Sequence, residues 1–299
     1  MLFMVAFIDL WESSANNLFL YFENASVLVV VITFFLAWVG CWLPIATLIA
    51  AALDLKPSQP LKDNQKLPLL LSLYLLAPLI VWNAMWLTNS SFADYGFLIN
   101  VSLLFSLFWG FTLGVLSLVV IFSCQIWLDW CKFQPLKVKQ ITSIVLPILL
   151  IGLLVGGIEE LVFRGFLLTQ LGRDYPIWLA AIISSLIFAL LHLVWEKKET
   201  VPQLPGLWLM GMVLVLARLV NDGNLGIAWG LHSGWVWAIG CIDTAGLINY
   251  TGNVPEWVTG KNKKPLAGVT GFVCMLLTGL ILWSFFTFIA TSSTNKRIE

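Results

Sequence analysis

The chain has 299 residues, of which 60% are hydrophobic and only 11% charged, with mean hydropathy +0.92 and a formal net charge of zero. A soluble globular domain carries roughly 25% charged residues, so this composition excludes a water-soluble protein and indicates a polytopic membrane protein. The zero balance gives no footing for nucleic acid.

Residues 1–24 hold Asp9, Glu12 and Glu23 and no Lys or Arg. A cleavable secretory peptide needs a positive start, so this stretch reads as a hydrophobic lead-in to a retained helix. A helix that spans hydrocarbon needs about 20 mostly apolar residues. Eight stretches qualify or nearly so: 27–53, 67–88, 97–127, 142–171, 177–195, 206–220, 225–248 and 267–290. The sixth is short enough to be re-entrant. The expected fold is all-α, a transmembrane helix bundle of about eight spans. The 16 Trp suit a protein with two membrane interfaces to anchor. The two irregular stretches, 54–66 and 249–265, read as loops between helices.

Loop charge orients the bundle. Lys56, Lys62 and Lys66 follow the first span, Lys132, Lys137 and Lys139 the third, Lys197 and Lys198 the fifth, and Lys261, Lys263 and Lys264 the seventh. The intervening loops 89–96 and 221–224 have no Lys or Arg, and 172–176 has only Arg173. This alternation places the Lys-rich loops in the cytoplasm. Lys296 and Arg297 run against it at the last helix. Cys41, Cys124, Cys131, Cys241 and Cys274 show no paired spacing and read as small packing residues.

The fourth span carries Glu159 and Glu160 inside an otherwise apolar run, and the only two histidines, His192 and His232, lie in later spans. Ionisable groups at membrane depth are costly and mark functional sites. Residues four apart share a helix face, so Arg164 pairs with Glu160 and leaves Glu159 as the freer carboxylate, available as a general base. The fourth and fifth spans form a hairpin near Asp174, which stands 15 residues after Glu159 and 18 before His192. At about 1.5 Å per residue the two groups differ in depth by only about 5 Å. Phe188 sits one turn before His192 and walls its ring. Gly156 and Gly157 allow close helix approach. Arg218 snorkels toward an interface, and Trp229, Trp235 and Trp237 read as interfacial and packing residues.

Two Glu and two His also suit a metal such as Zn²⁺. The H-E-x-x-H spacing is absent, however, and adjacent glutamates point to different helix faces. Metal-free acid–base chemistry is therefore the preferred reading, with no metal and no cofactor. A transporter using Glu159 and His192 as a proton relay would call for inverted repeats, and none is visible.

Glu159-Glu160-x-x-x-Arg164, then Phe188-x-x-x-His192, then His232 in a later apolar helix resembles the CPBP family. That family comprises type II CAAX prenyl endopeptidases and bacteriocin-processing or abortive-infection proteins. Val162-Phe163-Arg164-Gly165-Phe166 and Lys264-Pro265-Leu266-Ala267-Gly268 share its flavour, and the resemblance covers about residues 142–290. It implies a membrane endopeptidase with its site in an intramembrane cavity. Residues 1–140 would form an amino-terminal region of about three helices, 141–250 the catalytic core, and 251–299 a loop, last helix and tail. Glu159 with His192 would activate the hydrolytic water, Glu160 and Arg164 would hold their helix in register, and His232 would stabilise the oxyanion. The partners implied are the lipid bilayer and a peptide or membrane-protein substrate, in the plasma membrane or an internal membrane. One position departs. Where the family carries Asn or a similar residue four after that histidine, this chain has Val236, which cannot donate a hydrogen bond. Loss of one oxyanion donor costs about 10²–10³ in rate unless Ser233 or a neighbour substitutes. The alternative is an inactive membrane scaffold or immunity protein of the same fold.

Overall fold

The computed structural model describes residues 17–56, 61–134, 138–194 and 197–295. Most of the expected lead-in, and Lys296 and Arg297, lie outside the described residues. Helices form at every expected span. They are α1 (Val27–Ala52), α2 (Asp63–Leu87), α3 (Val101–Trp127), α4 (Val138–Glu159), α5 (Leu168–Asp174), α6 (Ile177–Leu191), α7 (Leu204–Val220), α8 (Gly226–Ala245) and α9 (Val269–Asn295). A π-helical segment, Glu160–Leu167, joins α4 to α5 without a break. Among the described residues six helical stretches are long and apolar enough to cross a membrane, and Val269–Phe285 is a shorter apolar one. The span read as short enough to be re-entrant belongs to one of the six, Lys197–Val220. The 20-residue α8 is not among them, because His232, Ser233, its glycines and its tryptophans dilute its hydropathy. The chain is an integral multi-pass membrane protein.

The bundle turns its apolar side chains outward. Leu104, Phe105, Phe108 and Trp109 of α3 are exposed, while Glu159, Glu160, Arg164, Arg218 and His232 are buried. Lipid solvates the first group, and only the bundle interior can shelter the second.

The central helix is α8, held between α3 and α4 by glycine. Gly226, Gly230 and Gly234 recur every fourth residue and face Gly110 and Gly114 of α3. A Cβ at Gly230 would lie 2.0 Å from the Leu107 carbonyl oxygen, and one at Gly110 would lie 2.2 Å from that of Ile227. Small residues four apart are how membrane helices pack without a hydrophobic driving force. On the α4 side, Gly156 admits Ser233 and Gly157 admits the Trp229 indole, so the pair does serve close approach. The three tryptophans of α8 stitch helices together. Trp229 donates to the Leu153 carbonyl at 2.8 Å, Trp235 to Ser117 Oγ at 2.9 Å and Trp237 to the Val145 carbonyl at 3.0 Å. These bonds bear out their packing role inside the bundle.

The α5–α6 hairpin turns at Tyr175 and Pro176 as expected near Asp174. The Asp174 carboxylate accepts the Val27 N–H at 3.1 Å and so caps α1. At the Lys-rich end, β1 (Cys131–Phe133) pairs antiparallel with β2 (Ile248–Tyr250).

Candidate active site

The π segment fixes the geometry. Its widened i→i+5 turns leave a carbonyl without its usual helical donor, and such segments cluster at functional sites. Two side chains supply the missing donors. Ser184 of α6 donates to the Phe163 carbonyl at 2.8 Å, and Arg218 of α7 donates to the Arg164 carbonyl. Arg218 also reaches Thr169 Oγ1 at 3.0 Å, the Gly223 carbonyl at 2.9 Å and the Asp94 carbonyl at 3.3 Å. The expectation that Arg218 snorkels is corrected: it is buried, because carbonyls from the π segment and from the loops before α3 and after α7 converge on its five donors.

Glu160 and Arg164 form the expected pair, with Arg164 Nη1 donating to Glu160 Oε1 at 3.0 Å and both side chains fully buried. The guanidinium carbon of Arg164 stands 4.2 Å from the centroid of the Phe188 ring, a cation–π contact in a water-poor setting. Glu160 Oε1 also takes His232 Nδ1 at 2.8 Å. A carboxylate only accepts, so Nδ1 bears the proton and His232 Nε2 is turned the other way. That nitrogen lies 3.5 Å from Glu159 Oε2. Glu159 Oε1 accepts the hydroxyl of Tyr74, from α2.

His192 caps the end of α6 and is half-buried. Its Nδ1 donates to the Phe188 carbonyl at 2.8 Å, which leaves Nε2 as a lone-pair acceptor. Phe188 does wall its ring, edge-on with centroids 4.7 Å apart, and stands 5.9 Å from the His232 ring as well. His192 makes no hydrogen bond or ion pair to Glu159; among the described residues His232 is the imidazole that does. The resemblance pairs Glu159 with His192, whereas direct contact here falls to His232, because Gly156 and Gly157 draw α8 against α4.

Two carboxylates and two guanidiniums balance, so the buried cluster is neutral when both imidazoles are neutral. Glu159 Oε2, Glu160 Oε2, Ser233 Oγ, and Nε and Nη2 of Arg164 are buried without a hydrogen-bond partner. Val236 is half-buried on the same helix. Among the described residues no group of three or more His, Cys, Asp or Glu is placed to hold a metal ion. Tyr74 is the site residue that the sequence does not announce: it lies 85 residues before Glu159, and a lone tyrosine in an apolar helix carries no spacing signal.

A polytopic helical bundle that shelters paired glutamates, two imidazoles and a cation–π-seated arginine defines a class, membrane proteins built around intramembrane acid–base groups. The segment that carries those groups has a particular likeness: residues 141–238 match the family model "Type II CAAX prenyl endopeptidase Rce1-like". The chain is also similar to an "Uncharacterized 24.3 kDa protein" of Escherichia coli, with 33% identity over 89 residues. That match spans 29% of this chain and 40% of the length of the curated relative. No solved structure matches the chain. The Rce1-like match supports a protease-like fold for the core.

Proposed function

We propose that the protein is an intramembrane endopeptidase of the glutamic, CAAX-protease-like kind, hydrolysing a peptide bond of a membrane-associated or peptide substrate with a water activated by Glu and His. The observation that carries this reading is Glu159 Oε2. It is buried, has no hydrogen-bond donor, and faces the Nε2 side of an imidazole 3.5 Å away. A carboxylate in that state is available to take a proton from water as the oxygen attacks a carbonyl carbon. Tyr74 holds the other oxygen, Oε1, and so orients the base. His192, with Nε2 free to accept, is a second partner for the same water. The tetrahedral oxygen then needs a donor. The unpartnered hydroxyl of Ser233 is a buried donor on the same helix; His232, whose Nδ1 proton is given to Glu160, donates from Nε2 only as the imidazolium, and Val236 supplies none. Glu160 and Arg164 hold the segment in register, and the proton taken by Glu159 leaves on the departing amine.

The test is cleavage of a peptide library by the purified protein reconstituted in lipid, read by mass spectrometry. Cleavage that Glu159→Gln abolishes supports the reading, and cleavage that survives it refutes it. EDTA or phenanthroline should leave the rate unchanged. Stoichiometric Zn²⁺, with activity lost on stripping and regained on return, would overturn the metal-free mechanism.

A further inference from the structure

A cavity of about 260 Å³ lies at the Lys-rich end of the bundle, between α3, the end of α8, β2 and the loop that follows Gly260. It is separate from the buried cluster: Asp243, at its edge, is 11 residues beyond His232 along α8, about 16 Å at helical rise. Its floor is apolar, formed by Phe122 of α3 with Ile239 of α8, and its rim carries Tyr250, Asn262, Lys263 and Lys264.

The rim is built to present donors. Asn262 and Lys263 are consecutive non-glycine residues with φ of 55° and 63°. Left-handed backbone is disfavoured at a residue such as Lys, and strain of this sort gathers at binding sites. Lys264 is held by Asp243 at 3.4 Å in a half-exposed pair, of the kind worth little. Lys263 has no ion pair among the described residues. The Tyr250 hydroxyl also has no hydrogen-bond partner there. Burial, then Cys131 and Asp243, push that phenol up to about 12, so it stays a donor at every physiological pH.

The surroundings indicate what the donors face. The positive-inside pattern puts this end at the cytoplasmic leaflet, where anionic lipids collect and basic pockets between helices hold their headgroups. Trp127, 83% exposed at the end of α3, and Phe133 of β1, 56% exposed, mark the interfacial level beside it. At about 30 Å³ per water, the volume equals eight or nine waters, room for a phosphate and a glycerol.

We propose that this cavity binds the phosphate of an anionic phospholipid headgroup. Lys263 and Tyr250 donate to its oxygens, Lys264 adds charge from the Asp243 side, and Phe122 with Ile239 receives the glycerol and first methylenes. The inference is independent of any proteolytic activity.

The experiment measures thermal unfolding of the purified full chain by tryptophan fluorescence, with phosphatidylglycerol, phosphatidylcholine or inorganic phosphate titrated in. Phosphatidylglycerol should raise Tm saturably, and phosphatidylcholine should not. Lys263→Gln and, separately, Tyr250→Phe should melt as wild type in phosphatidylcholine. Each should weaken half-saturation by phosphatidylglycerol about tenfold, the ratio for one charge-assisted hydrogen bond. Lys197→Gln, on another loop at the same end, should leave the titration unchanged. Equal stabilisation by phosphatidylcholine, or an unaltered titration in the Lys263→Gln and Tyr250→Phe variants, overturns the proposal. The full shift with inorganic phosphate alone overturns the lipid as its source.

Discussion

Residues 141–238 and the helices before them contribute differently to the buried cluster. Every charged or imidazole group in it, from Glu159 to His232, lies in the family-matched segment. The three preceding helices contribute one hydroxyl, Tyr74, and the glycine face of α3 against which α8 is seated. Charge in an apolar run is conspicuous, whereas the groups that position it are chemically ordinary and come from elsewhere in the chain. A match confined to residues 141–238 therefore covers the buried charged groups and omits part of what holds them.

That contrast is sharpened first at Glu160. Glu160→Gln leaves Arg164 buried and uncompensated and frees His232 Nδ1, so unfolding stability should fall by about 3–5 kcal/mol. Denaturant melts in mild detergent would show it; a variant as stable as wild type would mean the pair is not structural. The next largest effect falls at Arg218, whose planar fork serves several carbonyls at once and is not replaced by an ammonium. Arg218→Lys should cost about 2–3 kcal/mol, and hydrogen exchange should rise in the π segment before it rises in α4. Exchange that rises uniformly would argue against the capping role. Tyr74→Phe is the smallest change and tests the unmatched region directly. It should cost about 0.5–1.5 kcal/mol and lower turnover without raising KM, because the hydroxyl touches Glu159, the proposed base. Unchanged kcat would confine the site to the matched segment.

Much of this was open to inspection in the sequence. Apolar run lengths mark all eight helical stretches, and the i, i+4 rule pairs Glu160 with Arg164 correctly. The glycines at 110, 114, 226, 230 and 234 also sit at an i, i+4 spacing that could have identified the α3–α8 contact. Other features had no local signal. Whether His192 or His232 meets Glu159 depends on helix tilt and on how closely α8 approaches α4, neither of which follows from counting residues along separate helices. The role of Arg218 depends on carbonyls that only a π segment frees, and helical periodicity alone predicts an ordinary α-helix there. Tyr74 depends on the placement of α2, set by contacts remote in sequence.

The central claim is that two adjacent glutamates divide between catalysis and structure. Glu159→Gln and Glu160→Gln, prepared in the same lipid and assayed together for peptide cleavage and thermal unfolding, test it most directly. The account predicts that Glu159→Gln melts close to wild type and does not turn over, while Glu160→Gln melts well below it. A Glu160→Gln protein that melts like wild type yet is inactive, beside a Glu159→Gln protein that still cleaves, would contradict it.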